Sequence, residues 1–242
     1  MGRKCGVLAL QGAFIEHVQI LRSLGVDAVE VRRVEQLHDV DGLIIPGGES
    51  TTIGKLAVAY QLVEPIRCMV MEGVPVWGIC AGMILLARDI GRDQPLIGVM
   101  DIVVKRNAFG RQVDSFETDL WIPELAVVSM QEERDRPFRA VFIRAPLIES
   151  VGDGVQELAR LPAGTVVAAR QGNLLATAFH PELSDDLRFH RYFLAMSRAQ
   201  QSPAIGGMGS NERKSRCLSE AAMSLPEHRV SQKCPCDRST QR

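Results

Sequence analysis

Three stretches of this chain combine residue types and spacings that can do covalent chemistry, and the first is Gly78-Ile79-Cys80-Ala81-Gly82. Val74-Pro75-Val76-Trp77 before it reads as a short buried strand, and Met83-Ile84-Leu85-Leu86-Ala87 after it suits a helix. A cysteine between two glycines at a strand-to-helix turn has the setting of a nucleophile elbow, where one side chain is pushed out over the carboxyl edge of a sheet. Gly78 and Gly82 are then steric necessities, because a side chain at either position would crowd the backbone of so tight a turn, and the elbow residue itself sits in strained backbone. A thiol at a helix N-terminus faces unpaired amide donors and the positive end of the helix dipole, both of which favour thiolate. The competing reading is a buried structural cysteine, since free cysteine is among the most buried residue types.

The second stretch is His180-Pro181-Glu182, directly after the apolar run Leu174–Phe179. In an extended segment residues two apart project to the same side, and the proline blocks continuation as a helix. Glu182 beside His180 can fix the ring's tautomer and stabilise imidazolium, leaving the other ring nitrogen for a thiol. A lone histidine is more often structural or solvated. Together with the Cys80 elbow, the segment points to a Cys80–His180–Glu182 triad.

The third stretch, Pro46-Gly47-Gly48-Glu49-Ser50-Thr51-Thr52, joins a strand at Gly42–Ile45 to a helix expected to begin near Ile53. Its glycines allow close approach of a ligand, and Ser50 or Thr51 can cap the helix, leaving amides free for an anion or a developing oxyanion. A phosphate loop is the rival reading. No Lys-Ser or Lys-Thr follows the glycines, and the dinucleotide-binding glycine pattern is also missing, so oxyanion binding is preferred.

These stretches need a scaffold that brings them to one edge. Cys5–Leu10 reads as a buried strand, followed by a Gln11-Gly12 turn, a helix with Phe14, Val18, Leu21 and Leu24 on one face, and Gly25 at its end. Strands around Val29–Val31 and at Gly42–Ile45 complete a strand–helix–strand spacing that predicts right-handed crossovers and a mostly parallel sheet. From Leu96 to about Ala178 short apolar runs dominate, and Gln171-Gly172-Asn173 is a hairpin turn, so part of the sheet is expected to be antiparallel. Arg106 and Arg144 fall at strand ends or adjoining loops, where each can orient a carboxylate directly or through the loop around it, the alternative being a surface or structural salt-bridge arginine. A last helix is expected over Asp185–Ala199, with Leu187, Tyr192, Phe193 and Met196 toward the core.

The composition, 46% hydrophobic and 24% charged in 242 residues, is that of an ordinary globular protein. A net charge of −1 gives no general attraction to nucleic acid or anionic membrane. No apolar stretch approaches transmembrane length and the N-terminus lacks a secretory signal pattern, so cytoplasmic residence is expected. Six dispersed cysteines do not resemble a secreted disulfide framework, and a reducing compartment keeps Cys80 a thiol. Residues 201–242 contain no aromatic residue, seven serines, seven Lys or Arg and four Asp or Glu, and are expected to form a disordered C-terminal tail beyond a catalytic domain over 1–200. Cys217, His228, Cys234 and Cys236 lie there, but Cys-Pro-Cys lacks the two-residue gap usual in zinc knuckles, and no metal site is assigned.

Taken together the motifs are those of a known family. From Cys5 to Ala199 the chain resembles the glutaminase subunits of pyridoxal 5'-phosphate synthase, which belong to the triad glutamine amidotransferases. The resemblance rests on Leu10-Gln11-Gly12-Ala13, the Pro46–Thr52 loop, Gly78–Gly82, Arg106-Asn107-Ala108-Phe109-Gly110-Arg111-Gln112, Phe142-Ile143-Arg144-Ala145-Pro146 and Phe179–Leu183. The elbow and His-Pro-Glu occur across triad glutaminases; the Arg106–Gln112 and Phe142–Pro146 segments narrow the choice. The resemblance implies a three-layer α/β fold of the class I glutamine amidotransferase type, with a mostly parallel central sheet, flanking helices and some antiparallel strands. It implies that Cys80, His180 and Glu182 are catalytic, that Gly48, Glu49, Ser50, Arg106, Ile143 and Arg144 bind L-glutamine, and that the amides of Gly48 and Ala81 form the oxyanion hole. It also implies hydrolysis without a metal or redox cofactor, and delivery of ammonia to a separate synthase subunit. The rival readings are another triad amidotransferase or γ-glutamyl hydrolase, and a binding subunit without turnover.

Deletion of everything after Gln200 is expected to leave thermal stability and glutaminase activity close to those of the full chain. A large fall in melting temperature would show instead that the tail packs on the body.

Overall fold

The computed structural model describes residues 3–106 and 115–199. The tail over 201–242 and the Asn107–Gln112 part of the arginine motif therefore lie outside the described residues. Strand β1 (Lys4–Leu8) runs into helix α1 (Phe14–Ser23), and β2 (Asp27–Val31) and β3 (Gly42–Ile45) flank β1, both parallel to it. Helices α2 (Ser50–Ala59) and α3 (Val63–Met71) lead to β4 (Val76–Ile79), parallel to β3, and then to the short α4 (Ala81–Leu86). The chain continues through β5 (Ala87–Asp89), β6 (Met100–Lys105), β7 (Ser115–Leu120), β8 (Phe138–Ile143), β9 (Leu147–Val151), β10 (Gln156–Arg160), β11 (Val166–Gln171), β12 (Leu174–Thr177) and α5 (Arg188–Ala199).

The main sheet has the order β2-β1-β3-β4-β12-β11-β9-β6-β5, with β10 on β11. Its β2-to-β12 half is wholly parallel, and the β11–β12 hairpin introduces a half that is antiparallel except for the parallel pair β5–β6. Every residue of β3, β4 and β12 is buried. Parallel strands covered on both faces need such unbroken apolar runs, which is why the strands read clearly from the sequence. Trp77 on β4 is fully buried and packs against His17 of α1 and against Phe189, His190 and Phe193 of α5, so these two helices cover one face. Right-handed crossovers send α2 and α3, between β3 and β4, to the other face. The ribbon β7–β8 stands apart from the main sheet and docks through rings, with Phe142 against Phe179 and Phe138 against Phe179 and Phe189.

Two boundaries differ from expectation. Helix α2 begins at Ser50 rather than near Ile53, and its cap is Glu49, whose carboxylate reaches both the Thr51 and the Thr52 amides as neither hydroxyl could. Helix α5 begins at Arg188 rather than Asp185, because the Asp186 carboxylate turns back to accept from the Arg188 amide at 3.0 Å.

The strand order reverses at β1, whose neighbours β2 and β3 lie on opposite sides. Ligands in open α/β sheets bind at such a switch point, outside the carboxyl ends of the strands. The loops following β1, β3, β4 and β12 all emerge at that edge, and the elbow after β4 is the tightest of them. A Cβ on Gly82 would lie 2.0 Å from the Ile45 carbonyl oxygen, and one on Gly78 would lie 2.6 Å from the Gly82 carbonyl, as the sequence pattern required. Gly82→Ala is expected to lower folding stability by about 1–3 kcal/mol through overpacking, read from the denaturant midpoint at constant m-value. An unchanged midpoint would mean that the helix can shift off β3 at no cost.

Candidate functional site

Cys80 occupies the elbow with φ 50° and ψ −99°, a left-handed conformation that is rare for a non-glycine residue. Such strain costs of order 1–3 kcal/mol and persists only where the surroundings impose it. Here the Cys80 amide donates to the Thr177 carbonyl at 2.7 Å, continuing the β4–β12 pairing one residue past the strand, and the Cys80 carbonyl accepts from Ile84 at 3.2 Å. The thiol is almost buried, at 8% exposure.

Three residues beyond Thr177, the His180 amide donates to the Val141 carbonyl of β8 at 2.8 Å. Pro181–Leu183 is a single 3-10 turn rather than the extended segment expected. Proline is well suited to the first position of such a turn, which needs no amide there, and the turn folds Glu182 back onto the histidine. His180 Nδ1 lies 2.7 Å from Glu182 Oε1, and the Glu182 side chain has no exposure to solvent. Burial works against charging the ring, but hydrogen bonds to Cys80 and Glu182, and their negative charges, outweigh it and raise the His180 pKa to about 10. With Nδ1 committed to the carboxylate, Nε2 is the nitrogen left for the thiol. The arrangement sets an imidazolium beside the sulfur and can deliver a proton from Nε2 to a leaving group there.

The glycine loop lies against the same ring. A Cβ on Gly47 would sit 2.5 Å from His180 Cε1, so the loop can touch the imidazole only because this residue has none. The Gly47 carbonyl accepts from the Ala13 amide at 3.1 Å, and the Glu49 amide donates to Gln11 Oε1 at 2.7 Å. The turn after β1 thus supports the loop after β3. Neither the Gly48 nor the Ala81 amide meets a protein acceptor among the described residues, and both remain available to an oxyanion. Glu49 is pushed down to about 2: its partial burial favours the neutral acid, but hydrogen bonds from Thr52 and Thr51 prevail. Arg106 pairs with Glu49 at 3.2 Å and also donates to Thr51 Oγ1 and Gln94 Oε1, so its guanidinium is tied to the loop. Ser50 is buried and points its hydroxyl at Gln94 Oε1, 3.4 Å away. Ile143 and Arg144 follow Val141 on the strand that holds the His180 amide; both are exposed, and Arg144 has φ 42°.

Residues 7–199 match the family model described as the SNO glutamine amidotransferase family. The chain belongs to that family. A "Pyridoxal 5'-phosphate synthase subunit PdxT" of Herpetosiphon aurantiacus is 60% identical over 195 residues, covering 79% of this chain and 98% of the relative. The protein of the same name from Moorella thermoacetica is 59% identical over 194 residues, covering 80% and 98%. A solved structure described as a glutamine amidotransferase shares 49% identity with a TM-score of 0.73, covering 80% of this chain and 98% of that one. As a glutamine amidotransferase the chain takes ammonia from the side-chain amide of glutamine. The site chemistry has to do that with the groups described above. The expected triad residues converge, and the Gly48, Glu49, Ser50 and Arg106 group gathers at the head of α2.

Several residues of this amidotransferase site escaped the sequence reading. Gln11 lay in a recognised motif, but nothing local shows that its amide oxygen reaches a loop 38 residues away. Gln94 sits in a polar turn with no pattern to single it out. His17 carried a readable signal: it falls on the apolar face of α1, three residues after Phe14 and four before Leu21, and it lies behind Glu182.

The raised His180 pKa has a definite sign. Its charged form contributes stability that is fully present below the ordinary value of 6.5 and is lost as pH rises through about 10. An NMR titration of the His180 ring is expected to show deprotonation near that upper value, moved to lower pH in Glu182→Gln, where a charge favouring imidazolium is gone. The same titration in both proteins would detach Glu182 from the histidine's ionisation.

Proposed function

We propose that this amidotransferase hydrolyses L-glutamine to L-glutamate and ammonia through a Cys80–His180–Glu182 triad, and that the ammonia goes to a separate synthase subunit for pyridoxal 5'-phosphate formation. The observation that carries the triad is His180, bound to a buried carboxylate on one nitrogen and coupled to Cys80 on a strained elbow. The Cys80 thiolate attacks the amide carbon of glutamine, forming a C–S bond while the carbonyl π electrons move onto oxygen. The amides of Gly48 and Ala81 receive that oxyanion. His180 imidazolium protonates the amide nitrogen as the C–N bond breaks, releasing ammonia and leaving a thioester. Neutral His180 then takes a proton from water, whose oxygen displaces the sulfur and gives glutamate.

Glu49, Ser50, Arg106, Ile143 and Arg144 complete the glutamine site in this reading. Arg106 acts through the loop, by holding Glu49 and Thr51, while the exposed Ile143–Arg144 pair stands beside the histidine on β8. The synthase partner is supported by the names of relatives that this chain matches over 98% of their length. We place the protein in the cytoplasm. Cys80 is a free thiol, a state that a reducing compartment preserves.

Isolated protein is expected to be a poor glutaminase that its synthase partner switches on. The peptide between Gly47 and Gly48 has no Cβ at either end and is oriented by one bond, from the Ala13 amide to the Gly47 carbonyl, so contacts from outside the chain bias it by keeping or opposing that bond. Steady-state glutamate formation should be low alone and rise with saturating synthase subunit, and Cys80→Ala should be inactive in both conditions while still binding the partner. Wild-type turnover by Cys80→Ala would sink the nucleophile assignment, and equal wild-type rates with and without a demonstrated complex would sink the activation.

A further inference from the structure

Behind Glu182 lie two histidines that the triad chemistry does not use. His17 of α1 and His190 of α5 are both at 0% exposure, and His17 Nδ1 lies 3.0 Å from His190 Nε2. His17 Nε2 faces the second carboxylate oxygen of Glu182, Oε2, at 3.5 Å. Among the described residues neither of those two atoms has another hydrogen-bond partner, so although 3.5 Å is long for such a bond, each has there only the other to satisfy it. Trp77 packs edge-on against both imidazoles, with ring centroids 6.1 Å from His17 and 5.1 Å from His190.

Burial favours the neutral form of both rings. Burial, helped by His190 and His180 nearby, pushes His17 well below its ordinary range, and burial alone takes His190 to about 3. A neutral imidazole carries one N–H, so the tautomer decides what the contact means. With the proton on Nδ1, His17 would turn a bare lone pair toward a buried carboxylate oxygen, leaving both groups unpaired. With the proton on Nε2, it donates to Glu182 Oε2, and its Nδ1 accepts from the Nε2–H of His190.

Building on the triad reading, we infer that His17 is a positioning residue: it donates Nε2–H to Glu182 Oε2, with its tautomer set by His190, and so fixes the carboxylate that orients His180. Glu182 then accepts from a ring on each side, His180 at Oε1 and His17 at Oε2. A carboxylate held at both oxygens cannot rotate away from His180 when the histidine gives up its proton.

The test has two arms. In protein labelled with ¹⁵N-histidine, long-range ¹H–¹⁵N spectra are expected to show His17 as the Nε2–H tautomer, and an Nδ1–H tautomer would overturn the inference. In the complex with the synthase subunit, His17→Leu is expected to lower kcat about ten- to a hundredfold with KM for glutamine within about twofold. His17→Gln, whose amide nitrogen reaches the place of Nε2, should restore most of the loss. Wild-type kcat in folded His17→Leu would overturn the positioning role, and an inactive Cys80→Ala in the same assay would leave the triad standing. Should His17→Leu fail to fold, the tautomer of the wild-type ring decides the question.

Discussion

The parallel pairing of β4 with β12 is the constraint on which the site depends. The register matches Ile79 with Thr177, and the next bond, from the Cys80 amide to the Thr177 carbonyl, holds the elbow residue in its left-handed conformation. Because the two strands run the same way, the chain leaves both at one edge, and Cys80 and His180 meet although 100 residues separate them. An antiparallel pair would have put them at opposite ends of the sheet. β1 and β3 run the same way as β4, so the loops that follow them, the glycine loop among them, reach the same edge.

Electrostatically the site runs inward from the surface. Glu182 is a carboxylate without solvent, which is costly unless its oxygens are satisfied. His180 satisfies one and faces the thiol with its other nitrogen. The second charge cluster, Glu49 with Arg106, lies nearer solvent and is built on helix capping rather than burial. The two clusters therefore respond differently to their surroundings: salt weakens the outer one, while the inner one is screened very little.

Much of this was legible in the sequence, and the reason is physical. The strands that position the site are buried on both faces and read as unbroken apolar runs, and the elbow and His-Pro-Glu are local patterns whose neighbours are their own context. The family resemblance narrowed these to a glutaminase, and the family match agrees. What stayed hidden depends on contacts across the fold. The Glu49 cap was missed because carboxylate and hydroxyl caps look alike in sequence. The supporting roles of Gln11 and Gln94 are side-chain contacts to a distant loop. His17 shares a face with Val18 and Leu21, which marks it as buried without saying that it touches Glu182.

The separation of the β7–β8 ribbon from the main sheet divides the labour of the molecule. Cys80, His180 and Glu182 are rooted in the ten-stranded sheet, whereas Ile143 rides on a two-stranded arm joined to it by tilted and edge-on ring contacts and, among the described residues, by a backbone bond from His180 to Val141. An arm of that kind is interchangeable in a way that the sheet is not. Its exposed residues can diverge while the Cys80 elbow and the His180–Glu182 pair stay as they are, because the backbone bond that ties the arm to His180 is made by a carbonyl, which every amino acid supplies.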